Sequence, residues 1–355
     1  MDYPSLNKLF LDAVDRYANP KAQMYKTAHG WESISASEML RRVAGLSKAL
    51  GELGIKTGDR VGIFAPNCAE WHVADFAITG LGAASVPIYF NESVDRLTYI
   101  LNDSGSRIVI TKGEAQARKI AEARDRMPGL EHVISVAPPN DLHGEILRYE
   151  TLIATAGEAD IAEYRRRAAE VSGGLLATII YTSGTTGEPK GVMLNHANLS
   201  SNSIDSLKEY VFYPDDVALE FLPLAHVYER TVGYGYLSRG VSIAYLEQIE
   251  AVAEALLEVH PTMTAAVPRF FEKLYANILE KGHRETGLKR KIFDWALRVA
   301  QEAVPWRAYG KKPSSGLQMR WGIADRLVYS KIRAGLGGKI RTFCSGGAPL
   351  APELA

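Results

Sequence analysis

Ten consecutive residues, TSGTTGEPKG from Thr182 to Gly191, hold four hydroxyl side chains, three glycines and Lys190. Glycines such as Gly184 and Gly187 let successive backbone N–H groups turn toward one concavity. The hydroxyls of Thr182, Ser183, Thr185 and Thr186 add donors, and Lys190 brings a point charge. That set suits a polyanion, while a plain surface turn is the competing reading of the same composition. Order separates the string from the G-x-x-x-x-G-K-[ST] loop, because Pro189 precedes the lysine and Gly191 follows it. GVML then has a strand pattern, and a helix begins only near Asn195 to Asn198. The bend therefore joins strand to strand, and an anion there cannot lean on a helix N-terminus.

Other segments carry weaker signals. His226 sits in the apolar run LPLAHVY, where a histidine is often packed in a core. TVGYGYLSRG at 231–240 sets Tyr234 and Tyr236 around Gly235, a pattern open to an elongated apolar channel or to ordinary packing. Gly346, Gly347, Ala348 and Pro349 follow the strand-like IRTFCS; they allow a turn there, or a flat ligand close to the backbone. Between 281 and 312 the chain is basic and partly amphipathic, with Ile292, Trp295, Ala296, Val299 and Ala303 on one face. Such a helix covers a core or rests on an anionic bilayer, and Pro305 ends or bends it.

These groups need a scaffold, and the patterning supplies an α/β one. RVGIFA, ASVPIYF, RIVIT at 107–111, HVISV at 132–136 and LLATIIY at 175–181 read as strands. Helices are expected at about 69–81, after Asn91 or Ser93, at 114–126 and near the N-terminus. The alternation predicts parallel, helix-covered sheets that bind ligands beyond their carboxyl ends. A polar stretch at about 138–174 divides an expected first lobe, about 40–172, from a second, about 173–355, that carries the loop. The 355 residues are 46% hydrophobic and 23% charged, with a mean hydropathy of -0.10. Equal numbers of cations and anions give no bulk attraction for nucleic acid. Cys68 and Cys344 lack metal-ligand spacing, and a reduced cytoplasmic location is expected. Neither an export signal nor a transmembrane helix is expected.

YTSGTTGEPKGVMLNH resembles the phosphate-loop motif of the adenylate-forming, AMP-binding enzymes. FLPLAHVYER at 221–230, AVPRFFEKLY at 266–275 and SGGAPLAPEL at 345–354 resemble segments of the long-chain fatty-acid CoA ligases within that superfamily, in the same order. The resemblance implies the large N-terminal domain of such an enzyme, two helix-covered, largely parallel sheets forming stacked layers, incomplete at the C-terminus. It implies a fatty carboxylate attacking the α-phosphate of MgATP to give acyl-AMP, which CoA then intercepts. Thr182 would help hold magnesium, and Ser183, Gly184, Thr185, Thr186, Gly187 and Lys190 would wrap the β- and γ-phosphates. His226 would border the α-phosphate and the acyl-pocket mouth. Arg230 stands where some relatives carry a gating tryptophan, with Tyr234 and Gly235 beyond it. Gly346 to Pro349 would lie along the adenine and the acyl carbonyl.

The same resemblance implies motifs that would follow Ala355: an aromatic-Gly-x-Thr-Glu segment, a ribose-binding aspartate, a hinge and a small C-terminal domain. The chain alone is thus expected to turn over little fatty acid. A fatty acyl-AMP ligase serving a carrier protein, or a nucleotide- or lipid-binding fragment without catalysis, are the alternatives. Peripheral contact through 281–312 at the inner membrane face and a homodimer are further expectations.

Overall fold

Runs of branched apolar residues become the strands of a first compact unit, Met1–Ile249, and of a second, Glu250–Ala355. The computed structural model describes residues 3–142, 146–182, 188–307, 309–351 and 354. The first unit holds β1 (Gln23–Thr27), β2 (Gly30–Ile34), β3 (Arg60–Phe64), β4 (Ala84–Ile88), β5 (Ile108–Lys112), β6 (His132–Val136), β7 (Leu147–Arg148), β8 (Leu176–Thr182), β9 (Lys190–Asn195), β10 (Val217–Glu220) and β11 (Ser242–Tyr245). The second holds β12 (Met263–Ala266) and β13 (Thr342–Ser345), a parallel pair. Helices of the first unit are α1 (Leu6–Tyr17), α2 (Ala36–Glu52), α3 (Ala69–Gly80), α4 (Val94–Ser104), α5 (Glu114–Glu122), α6 (Tyr149–Ile153), α7 (Glu158–Glu170), α8 (His196–Ser206) and α9 (Val227–Ser238). Those of the second are α10 (Val252–Val259), α11 (Pro268–Arg284), α12 (Gly287–Arg307), α13 (Ser315–Ala324) and α14 (Ser330–Ala334).

In the first unit one sheet runs β7-β6-β5-β3-β4-β8-β9, parallel except for the final β8–β9 pair. The other runs β10-β11-β1-β2, with only β1–β2 antiparallel. The fold is α/β with mixed sheets and surrounding helices, as the strand and helix alternation requires. Every residue of α3 except Glu70 is buried, because α3 lies between the two sheets. It packs on β3 and β4 on one side, while Gln23 of β1 and Tyr245 of β11 reach it from the other. An apolar helix with no polar stripe is what that position demands.

One detail departs from the sequence expectation. The helix expected over 114–126 stops at Glu122, and Arg124–Arg126 form a tighter 3-10 turn. Strands β8 and β9, beyond the polar stretch near 138–174, join the sheet built by β3 to β7.

In the second unit Ala296, Val299 and Ala303 of α12 are buried, and Ile292 and Trp295 pack against the cluster around Ala324 and Val328. That apolar face is spent inside the unit. Pro305 lies inside α12, two residues before its end.

Candidate functional site

β8 ends at Thr182, which pairs across the antiparallel ladder with Lys190 at the start of β9. The lysine and the threonine hydroxyl thus flank the open end of a hairpin, both exposed. Ser183, Gly184, Thr185, Thr186 and Gly187 lie outside the described residues. Strand β9 runs on to Asn195, whose side chain accepts from the Asn198 N–H at 2.8 Å and caps α8. No helix follows the loop directly.

One helix holds both stems of this hairpin. The Tyr181 hydroxyl donates to Asp103 Oδ2 at 2.5 Å, and the Tyr99 hydroxyl donates to the Pro189 carbonyl at 3.2 Å. Tyr99 and Asp103 stand one turn apart on α4, and the rings of Tyr99 and Tyr181 meet edge to face at 6.3 Å. Burial and the Asp103 carboxylate push the Tyr181 phenol well above its ordinary range, so it stays a donor. Gly191 makes room for the tyrosine: a Cβ there would lie 2.8 Å from Ile179 Cγ2 and 3.2 Å from Tyr181 Cζ.

His226 is placed by different elements. Asn67, just after β3, donates to the Leu222 carbonyl at 2.7 Å and accepts from the Leu224 N–H at 2.9 Å, pinning the LPLAH segment. His226 caps α9, its Nδ1 accepting from the Tyr228 N–H at 3.1 Å. That bond leaves Nε2 as the hydrogen-bearing nitrogen of a neutral ring, at the exposed end of the helix. Desolvation lowers the ring's pKa, which favours the neutral form near pH 7.

One turn further along α9, Arg230 is fully buried. Its Nη2 donates to Asp75 Oδ1 of α3 at 2.5 Å and to Ser85 Oγ of β4 at 2.7 Å. Its Nη1 donates to Thr178 Oγ1 of β8 at 2.7 Å, and its Nε to the Tyr234 hydroxyl at 2.6 Å. Tyr234 in turn donates to Asp75. Burial works against the guanidinium's charge, but Asp75 and Tyr234 outweigh it and raise its pKa. Arg230 and Tyr234 are thus taken up by one another and by Asp75. Gly235 is a close approach, since a Cβ there would fall 2.2 Å from Leu207 Cδ1.

The glycine-rich end of β13 belongs to the second unit. Gly346 N–H donates to the Ala266 carbonyl at 3.2 Å, and Gly347 turns the chain at φ 78, a conformation that favours glycine. Ala348 and Pro349 beyond it are exposed. Among the described residues no group of three or more His, Cys, Asp or Glu side chains could hold a metal ion.

Asn67, Asp75, Tyr99, Asp103 and Thr178 were not singled out by spacing. The signal for one of them, Asp75, was a lone acid in the apolar segment WHVADFAITG.

The family model described as AMP-binding enzyme matches residues 10–355. FadD15 of Mycobacterium bovis, a long-chain-fatty-acid–CoA ligase, is 35% identical over 331 residues, 91% of this chain and 53% of its own length. The chain spans about half the length of the curated relatives it matches. A long-chain-fatty-acid-CoA ligase (FadD1) from Archaeoglobus fulgidus has the same fold, with a TM-score of 0.70 at 20% identity over 100% of this chain and 60% of that one. The ATP-bound structure of MatB from Rhodopseudomonas palustris aligns with a TM-score of 0.61 at 27% identity, over 76% of this chain and 50% of that one. By its sequence match and its architecture, the chain belongs to the AMP-binding enzyme family.

Proposed function

We propose that this chain carries the ATP-holding, acyl-activating part of a long-chain fatty-acid CoA ligase. The observation that carries the reading is the hairpin mouth: Lys190 stands across the ladder from Thr182, on stems fixed by Tyr99 and Asp103. A fatty carboxylate is already an anion at pH 7, so the first step needs no general base. Its difficulty is the repulsion between that anion and a triphosphate, which Lys190, loop hydroxyls and amides relieve. The carboxylate oxygen bonds to the α-phosphorus, pyrophosphate leaves, and acyl-AMP remains. In the whole protein the thiol of CoA then attacks the acyl carbonyl and AMP departs.

Thr182 would offer its hydroxyl to a magnesium ion accompanying the nucleotide, and the ion would supply neutralisation of phosphate charge. His226 presents Nε2–H toward the α-phosphate and the acyl carbonyl, with Arg230, Tyr234 and Gly235 supporting its helix from behind. Gly346, Gly347, Ala348 and Pro349 give the adenine a low-relief wall. In this reading the AMP-binding core extends over both compact units, in the cytoplasm.

Calorimetry with MgATP and with a non-hydrolysable acyl-AMP mimic tests the reading, and binding of both is expected. Binding of neither rejects it. In the whole protein, Thr186→Val and Lys190→Ala are expected to depress pyrophosphate exchange; exchange unchanged in both would remove the loop from the chemistry.

A further inference from the structure

Two of the buried residues on α3 are ionisable, His72 and Asp75, one turn apart. Asp75 is matched by Arg230 and Tyr234. His72 answers to a second acid, on the sheet across the helix. Glu220 closes β10 and is fully buried, yet neither of its carboxylate oxygens has a hydrogen-bonding partner among the described residues. His72 Nε2 also lacks one. The two groups meet at Gly233 of α9, where a Cβ would lie 2.5 Å from Glu220 Oε1 and 3.0 Å from His72 Nε2. Any side chain at 233 would push into both.

The hydrogens along this line follow from its far end. Gln23 Nε2 donates to the Ala69 carbonyl at 3.0 Å and to the Tyr245 hydroxyl at 2.9 Å. That hydroxyl therefore gives its own hydrogen to His72 Nδ1, at 2.8 Å. A neutral ring then carries its hydrogen on Nε2, on the side of Glu220, and burial favours the neutral ring. An ionised carboxylate cut off from water needs several donors, and here it is offered one. A neutral carboxyl group accepts from Nε2–H at modest cost.

The other ionisable groups around the pair leave this balance in place. Asp75 and Arg230 bear on His72 with opposite signs and are bound to each other. Burial keeps the phenols of Tyr234 and Tyr245 protonated. Cys68 and Glu70 bear on Tyr245 from the head of α3, where Glu70 is paired with Lys112. We propose that Glu220 stands in the interior as a neutral acid paired with His72 over Gly233, and that the pair is a pH-sensitive clasp at the base of the His226 segment. Glu220 lies six residues before His226 and Gly233 seven after it, so the clasp brackets that segment. Opening it exposes Glu220 to water, where the acid ionises above its ordinary range, while the closed form keeps the proton. Rising pH therefore favours local parting of β10 and α9 from α3. The clasp is independent of the fatty-acid reading and holds whether or not the chain takes ATP.

The test is hydrogen exchange of the α9 amides in the whole chain and in Glu220→Gln, each at about pH 5 and about pH 7. Comparing the two proteins at equal pH cancels the intrinsic pH dependence of exchange and the titration of the histidines. Glutamine cannot ionise, so protection in the parent is expected to fall relative to the variant by about tenfold or more between the two pH values. Infrared spectra of the parent at pH 7 should show the carbonyl stretch of a protonated carboxyl group, absent from Glu220→Gln. Nitrogen resonances of His72 should report a neutral ring with its hydrogen on Nε2. A ratio of protection that does not move with pH overturns the proposal, as does the absence of the carboxyl band. So does a charged His72 ring at pH 7, or one with its hydrogen on Nδ1. A Glu220→Gln chain that fails to fold also overturns it, because a neutral side chain of the same shape should be accepted there.

Discussion

Arg230 Nη1 donates to Thr178 Oγ1 at 2.7 Å, tying the helix that His226 caps to the strand that delivers Thr182. Arg230 stands four residues after the histidine, and Thr178 four before Thr182. The two sides of the candidate site are thus joined through the core as well as across the surface.

Removing one partner of the ion pair strands the other charge in the interior. Arg230→Met and Asp75→Asn are each expected to lower folding stability by about 3–5 kcal/mol. The double variant should lose much less than the sum, because neither charge is then left alone. Urea denaturation of all four proteins measures the coupling; strict additivity would show that the pair does not act as a unit.

Lys190 is exposed at the hairpin mouth, so its removal should leave folding intact and injure binding alone. Lys190→Ala is expected to weaken MgATP binding by about tenfold or more, with an unchanged unfolding temperature. Isothermal titration beside thermal unfolding separates the two effects.

Gly191→Ala should do the reverse first. The added Cβ meets Ile179 and the Tyr181 ring, and overpacking of this kind costs about 1–3 kcal/mol. Displacing Tyr181 from Asp103 should then weaken nucleotide binding as well, while Tyr181→Phe, which keeps the ring, should show the binding loss with a smaller stability loss. Nucleotide affinity equal to the parent's in both variants would mean the stem is not positioned by α4.

Acid should weaken the fold before the carboxylates titrate. Burial lowers the pKa of His72 and His196 to about 4, against about 6.5 in an unfolded chain. Between pH 6.5 and 4 the unfolded chain binds two protons that these native rings refuse, so stability falls as pH drops through that window. Buried Glu220, raised well above the usual carboxylate range, works in the opposite sense, holding in the native state a proton the unfolded chain gives up. Of these three groups the two histidines set the sign below pH 6.5, where acid destabilises. Ring resonances of His72 and His196 that stay neutral at pH 5, with a lower urea midpoint than at pH 7, are the expected result; a midpoint that rises on acidification would reverse the sign.

Local pattern made much of this molecule readable. The strands Arg60–Phe64, Ala84–Ile88, Ile108–Lys112, His132–Val136 and Leu176–Thr182 announce themselves as branched apolar runs, and the strand after the hydroxyl-rich loop follows from GVML. The partners were harder. Asp75 and Arg230 are 155 residues apart in sequence, and Tyr181 and Asp103 are 78 apart. A single acid in an apolar helix signals that a partner exists but not which one, since pairing is decided by the sheet order.

The fate of Arg230 also bears on redesign. The resemblance sets Arg230 where some relatives carry a gating tryptophan, yet here its side chain points into a sealed interior beside Asp75. A bulkier or neutral residue would first have to find a home for an abandoned carboxylate. Under the proposed function, a substitution at 230 would therefore disturb this buried pair before it could alter any preference among acyl chains.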